Sequence, residues 1–303
     1  MKKIEMKNNN RPIGIFDSGL GGLTVVKEII KQLPGENIVY FGDTARVPYG
    51  TKSKETIIKY SIENTKFLLN FNIKLLVVAC NTSSSYALPT LKKMLSPKIP
   101  VVGVIEPGAI AVSKKTKNYR IGVIGTSATI KSGSYTKIII KILKNKKIKV
   151  FSTSCPLFVP LIEEGWMDKI YQEKLLLEGK KHKENIEYRI INHENILRYV
   201  ATEYLLPLKK QKIDSLVLGC THYPAIKNIL QDVIGKEVIL VDSAEETARY
   251  VSEILSNKKM KSTSNKNGKI MFYVSDDPEK FKLIGSLLLQ KKIKNVKKVV
   301  VGK

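Results

Sequence analysis

The sequence predicts an α/β fold of two similar three-layer domains, with mainly parallel sheets and a site in the cleft between them. Three observations lead there. Short apolar runs alternate with segments of helical spacing along most of the chain, as expected of parallel strands covered by helices. A unit of apolar strand, Cys, Thr-bearing polar turn and helix start occurs twice: IKLLVVACNTSSSYAL from Ile73 to Leu88, and IDSLVLGCTHYPAI from Ile213 to Ile226. The length of 303 residues, 43% of them hydrophobic, is enough for two domains with cores of their own.

Taken in order, the apolar run Ile13 to Phe16 is a strand closed by Asp17-Ser18-Gly19. LTVVKEIIKQL, Leu23 to Leu33, has helical spacing and stops at Pro34-Gly35. NIVYF, Asn37 to Phe41, is the second strand; a polar loop runs from Gly42 to Ser53, and a helix follows to about Phe71. The first Cys unit comes next, then a strand over Ile99 to Ile105. From Arg120 the alternation resumes with the strand RIGVIG, the helical TSATIKSGSYTKIIIKIL and the strand KKIKVF. Trp166 to Leu197, rich in Lys, Glu, Asn and His, reads as a solvated helical excursion without chemistry, and His182 and His193 within it as inert. After the second Cys unit come a strand, KEVILV, and a helix, SAEETARYVSEIL, where Ser243 and Glu246 have the spacing of a capping box. A polar loop from Ser256 to Gly268, the strand KIMFYV and a helix from Pro278 to Leu289 close the chain. Residues 1–105 and 245–303 are expected to form the first domain, carrying Cys80, and 106–244 the second, carrying Cys220.

Composition narrows the setting. Three Cys, an odd number, and an opening without an apolar h-region argue for reduced thiols in the cytoplasm and against a disulfide framework. No apolar run approaches the roughly eighteen residues a membrane span needs. The formal charge is +25, but only six of the 52 basic residues are Arg, and Lys is spread over the whole length. That distribution reads as a Lys-rich solvated surface, not a nucleic-acid footprint, and its field would draw in an anionic substrate.

The paired units hold the chemistry. Ligands of open α/β sheets bind outside the carboxyl ends of the strands, where both Cys stand. A thiol at a helix N-terminus has its anion favoured by unpaired N–H groups and the helix dipole, so Cys80 and Cys220 are candidate bases or nucleophiles. Singly, each would pass for a small buried hydrophobe; as a matched pair at equivalent strand ends they point to function. Asn81 and Thr82, and Thr221 and His222, follow directly and suit a carboxylate. His222 beside Cys220 favours an acid–base or orienting role, while Cys-x-His lacks the spacing of a structural zinc site. Cys155 is assigned to packing. Asp17 and Ser18 stand at another strand end, Asp17 as a helix cap or as an acid or ammonium ligand; Thr24 breaks a G-x-G-x-x-G reading of the glycines there. In Phe41 to Gly50, Asp43, Tyr49 and Gly50 either line the site or form a Pro-Gly turn.

DSGLGG, GDTARVPYG, ACNTSS, VIEPGA, GTSAT and GCTHYP, in this order, resemble the bacterial glutamate racemases from about Ile13 to Val274. The resemblance implies an enzyme that needs no cofactor and interconverts L- and D-glutamate, the D-isomer feeding peptidoglycan synthesis. It implies that Cys80 and Cys220 are the catalytic thiols, with Cys80 assigned to the D-isomer. Substrate contacts are implied for Asp17, Ser18, Tyr49, Gly50, Asn81, Thr82, Thr126, Thr129, Thr221 and His222. Auxiliary roles are implied for Asp43 and for a Glu in LIEEG, with Glu163 preferred over Glu164. A homodimer is the common state of such proteins. The segment between Gly165 and the second Cys is longer than usual in the family, and the charge is not a family trait. Three other readings stay open: a racemase acting on aspartate, a thiol hydrolase with Cys220 as nucleophile and His222 as base, and a two-domain ligand- or nucleic-acid-binding protein.

Overall fold

The computed structural model describes residues 9–144, 147–164, 183–264 and 266–302, with backbone alone over 183–193. The first half begins with β1 (Ile13–Asp17), α1 (Leu23–Gln32), β2 (Ile38–Gly42), α2 (Lys54–Leu69) and β3 (Leu75–Val78). Helices α3 (Asn81–Tyr86) and α4 (Leu88–Leu95), strand β4 (Val101–Gly103) and α5 (Ile105–Lys115) follow. Then come β5 (Arg120–Gly125), α6 (Ser127–Ser132), α7 (Ser134–Leu143), β6 (Lys149–Ser154), α8 (Phe158–Glu163) and α9 (Lys183–Lys210). The chain continues through β7 (Ser215–Gly219), α10 (Lys227–Ile234), β8 (Ile239–Asp242) and α11 (Ser243–Asn257), then β9 (Ile270–Val274), α12 (Pro278–Leu289) and β10 (Val296–Lys298).

The strands form two sheets, of order β10-β9-β2-β1-β3-β4 and β6-β5-β7-β8. Every pairing is parallel, with Phe16 opposite Phe41 and Val78, and Gly125 opposite Ser154 and Gly219. Strand side chains alternate between faces. Thus Ile13, Ile15, Tyr40, Leu75 and Val77 enter one apolar cluster, while Phe16, Phe41, Leu76 and Val78 enter another on the opposite face. Burial on both faces explains why these strands read as unbroken apolar runs. Between the sheets α11 packs on α1 and α5, so the two halves share the larger core.

Several local expectations change. The strand over Ile99 to Ile105 is only β4, because Ile105 already opens α5. The helical stretch after β5 is two helices, divided at Gly133, whose φ of +64° suits a residue without Cβ. The capping box at Ser243 does not form. Asp242 caps α11 by accepting from the Ala244 N–H at 2.8 Å, and Glu246 pairs with Arg249 instead. A tenth strand, β10, extends the first sheet beyond the helix expected to end the chain. The excursion from Trp166 to Leu197, with His182 and the His193 side chain, lies largely outside the described residues.

One buried ion pair ties the N-terminal segment to the sheet. Lys74 Nζ lies 2.5 Å from Glu36 and donates to the carbonyls of Asn9 at 2.6 Å and Met260 at 2.8 Å. Glu36 in turn accepts from the Ser262 N–H at 2.7 Å. Removing one member leaves the other charge buried. Lys74→Met is expected to destabilise the protein by about 3–5 kcal/mol, read as a lower urea midpoint.

Candidate active site

The carboxyl ends of β1, β2, β3, β5 and β7 converge on one small cavity. From the first sheet Ser18, Pro48, Tyr49, Gly50, Cys80, Asn81 and Thr82 line it. From the second come Thr126, Val159, Cys220, Thr221 and His222. It holds about 10 Å³, room for about one water molecule. A larger hollow of about 210 Å³ lies beside it, bounded by Leu20, Val47, Glu163 and Phe281.

Cys80 stands at the head of α3, with Sγ 3.6 Å from Ser18 Oγ. Helix-terminus stabilisation of its anion is present, through the Ser83 N–H and Ser18, but burial and the nearby Asp17 charge outweigh it, and the thiol is pushed up to about 11. The helix start thus favours the Cys80 anion, as the sequence implies, without deciding its pKa: α3 has six residues and its head is buried. The second unit departs further. Cys220 is followed by a turn and a 3₁₀ segment, Tyr223–Ile226, before α10 begins.

What Cys220 has instead is an imidazole. Its Sγ is 3.7 Å from His222 Nδ1, and His222 Nε2 is 2.9 Å from Glu163 Oε1 at the end of α8. Burial alone would lower the His222 pKa, but hydrogen bonds and charge from Cys220 and Glu163 win and raise it well above the ordinary value of 6.5. Glu164, the alternative acid, points outward and pairs with Lys280 at 3.0 Å.

The remaining candidates divide into those on the cavity and those behind it. Asp17 is fully buried, with its pKa raised by burial. It accepts from the Gly19 N–H at 3.0 Å and from Thr221 Oγ1 at 3.3 Å, so it fastens a turn and the opposite wall. Asp43 reaches the cavity only through Tyr49, whose hydroxyl donates to it; Arg46 Nε at 2.7 Å and Ser275 Oγ at 2.9 Å complete its contacts. Thr82, Thr126 and Thr129 form a hydroxyl triangle with sides of 2.9, 3.0 and 3.3 Å between the two sheets, Thr129 just behind the cavity. Sequence reasoning missed Pro48 and Val159; the first lay within the quoted loop, while nothing local marks the second. Cys155 is buried in the shared core, as its assignment to packing requires. Among the described residues no group of three or more His, Cys, Asp or Glu is placed to hold a metal, and no helix is long and apolar enough to cross a membrane.

The fold and site define a parallel α/β protein in which strand ends of both sheets bring a thiol each to one small cavity. Known proteins agree: residues 13–185 match the Asp/Glu/hydantoin racemase family model. The chain is 48% identical to the glutamate racemase of Geobacter metallireducens, over 95% of this chain and 96% of that one. Its structure superposes on a glutamate racemase from Bacillus anthracis with a TM-score of 0.82 at 38% identity, covering 96% and 98% of the two chains. A crystal structure of the Francisella tularensis glutamate racemase in complex with D-glutamate gives 0.81 at 38% identity and the same coverage. The chain belongs to the Asp/Glu/hydantoin racemase family, in its glutamate racemase branch.

The raised His222 value has a sign that can be checked. Stability drawn from it is fully present below the ordinary value of 6.5 and is lost as pH rises through the folded value. Glu163→Gln removes one of the two partners, so the His222 titration followed by NMR is expected to move down. The stability difference between wild type and variant is expected to be largest at the acid end and to shrink as pH rises.

Proposed function

We propose that the chain interconverts L- and D-glutamate by proton transfer between two thiols, without a cofactor. The observation that carries this is the presence of Cys80 and Cys220, from the strand ends of different sheets, on the lining of one small cavity. Inversion at an α-carbon takes a proton from one face and returns one to the other. A single base would have to travel round the substrate; two need not.

The walls divide the work. Cys80, pushed up to about 11, rests as a thiol at neutral pH and is ready to donate. Cys220 takes the proton from the other face, with His222 beside it to accept or return a proton and Glu163 to stabilise the imidazolium. This resting arrangement suits L-glutamate; D-glutamate meets it after the protons exchange sides. The hydroxyls of Thr82, Thr126 and Thr221 and the amide of Asn81 supply hydrogen bonds to the substrate's carboxylates, and exclusion of water strengthens them. A cavity of about 10 Å³ admits no amino acid, so the walls part on binding. The D-glutamate bound by the Francisella tularensis relative supports glutamate over aspartate. On the same reading the chain works in the cytoplasm as a homodimer, its product serves peptidoglycan synthesis, and residues 1–105 with 245–303 move against 106–244.

The line Cys220–His222–Glu163 also has the form of a thiol hydrolase triad, so the variants must separate the two. Cys80→Ala and Cys220→Ala are each expected to abolish racemisation in both directions, measured by polarimetry. In D₂O the product is expected to gain deuterium at the α-carbon while the remaining substrate gains little at first. A Cys80→Ala protein that keeps near-normal racemisation would refute the two-base scheme, and a covalent adduct on Cys220 by intact mass would replace this reading with the hydrolase.

A further inference from the structure

Asn81 follows Cys80, lines the cavity and is buried, yet its Nδ2 has no hydrogen-bond partner among the described residues. Its Oδ1 is held from the opposite sheet, where the Tyr135 hydroxyl on α7 donates to it at 2.7 Å. Ser243, at the start of α11, lies close by: a Cβ on Gly108 would be 3.1 Å from Ser243 Cβ and 3.3 Å from the Tyr135 hydroxyl. A phenol has one proton to give, and here it goes to Asn81. Burial raises Tyr135 far above the ordinary phenol range, so it remains a donor. The ring is fitted as closely as the hydroxyl. A Cβ on Gly108 would lie 3.3 Å from it and one on Gly219 3.1 Å from it, and Gly219 directly precedes Cys220.

We propose that Tyr135 is a positioning residue for racemisation: its hydroxyl fixes the Asn81 amide with the N–H₂ turned to the substrate carboxylate, and its ring sets the strand end that presents Cys220. The inference rests on the glutamate reading above. Without the hydroxyl the Asn81 amide is free to turn over, and its carbonyl oxygen would then face an anion. One side chain of the second sheet thus orients the donor beside one thiol while supporting the backbone of the other.

Tyr135→Phe keeps the ring and removes only the hydroxyl. Racemisation kinetics and calorimetric D-glutamate binding are to be measured for wild type, Tyr135→Phe, Asn81→Ala and the double variant. The expected result is a loss of kcat/KM of at least about tenfold in Tyr135→Phe, weaker D-glutamate binding, and a double variant no worse than Asn81→Ala alone. A Tyr135→Phe protein within about twofold of wild type, or one that costs the same factor again in the Asn81→Ala background, overturns the proposal. If Tyr135→Phe does not fold, Asn81→Asp serves instead: Tyr135 can still donate to the new carboxylate but no N–H₂ faces the substrate, so D-glutamate binding is expected to weaken at least about tenfold, and unchanged binding overturns the proposal. Wild-type protein that racemises no glutamate overturns the parent reading and this one together, whereas active wild type with an indifferent Tyr135→Phe overturns this one alone.

Discussion

The meeting of the two sheet ends through very short side chains is the constraint from which the rest of the site follows. Thr82 reaches Thr126 at 2.9 Å and Thr221 reaches Asp17 at 3.3 Å. Hydroxyls this short bridge only if the backbones come very close, and glycine permits it. A Cβ on Gly50 would lie 2.5 Å from Thr126 Cβ, and one on Gly21 2.6 Å from His222 Nδ1. The bridges are also exchangeable. Each is worth about 0.5–1.5 kcal/mol net, and a hydroxyl that loses its partner can turn to a substrate oxygen. A wall joined this way closes tightly and still opens at modest cost.

Closure decides the electrostatics. Asp17, Cys80, Cys220 and His222 all sit in buried surroundings, with Glu163 at the margin. For Asp17 and Cys80 burial prevails and raises the pKa; for His222 its partners prevail over burial. Burial and neighbours thus act differently on Cys80 and on His222, although the repeated units look alike. This asymmetry cannot favour one product. Enantiomers have equal free energy in water, so both directions must share one kcat/KM, and the difference between walls can only redistribute kcat and KM between them.

Much of this was legible in the residues, and the limits have physical reasons. The paired Cys units at parallel strand ends could be read because strand periodicity places them at carboxyl ends and sheet topology gathers those ends. The choice of Glu163 over Glu164 has its counterpart in the contact with His222. What could not be read was burial, a property of the whole fold: the motif shows Cys80 at a helix start, but not that the helix is short and enclosed. Asp242 displaced Ser243 as a cap because two good caps stood side by side and chain direction chose between them. Tyr135 left no signal, since its partner Asn81 is 54 positions away and on the other sheet.

The two walls also bear on which chemistry the site is built for. The Cys220 wall alone would serve a nucleophile as well as a base, since His222 and Glu163 can assist either. The Cys80 wall discriminates. A hydrolase has no task for a second thiol on the lining of the same cavity. In a two-base inversion the opposite group must be protonated when the first removes its proton, and a thiol raised to about 11 by burial and Asp17 meets that requirement at neutral pH. On the two-base reading, Cys80 at rest is the thiol that donates when the opposite wall takes the proton of L-glutamate, and the two exchange roles for D-glutamate.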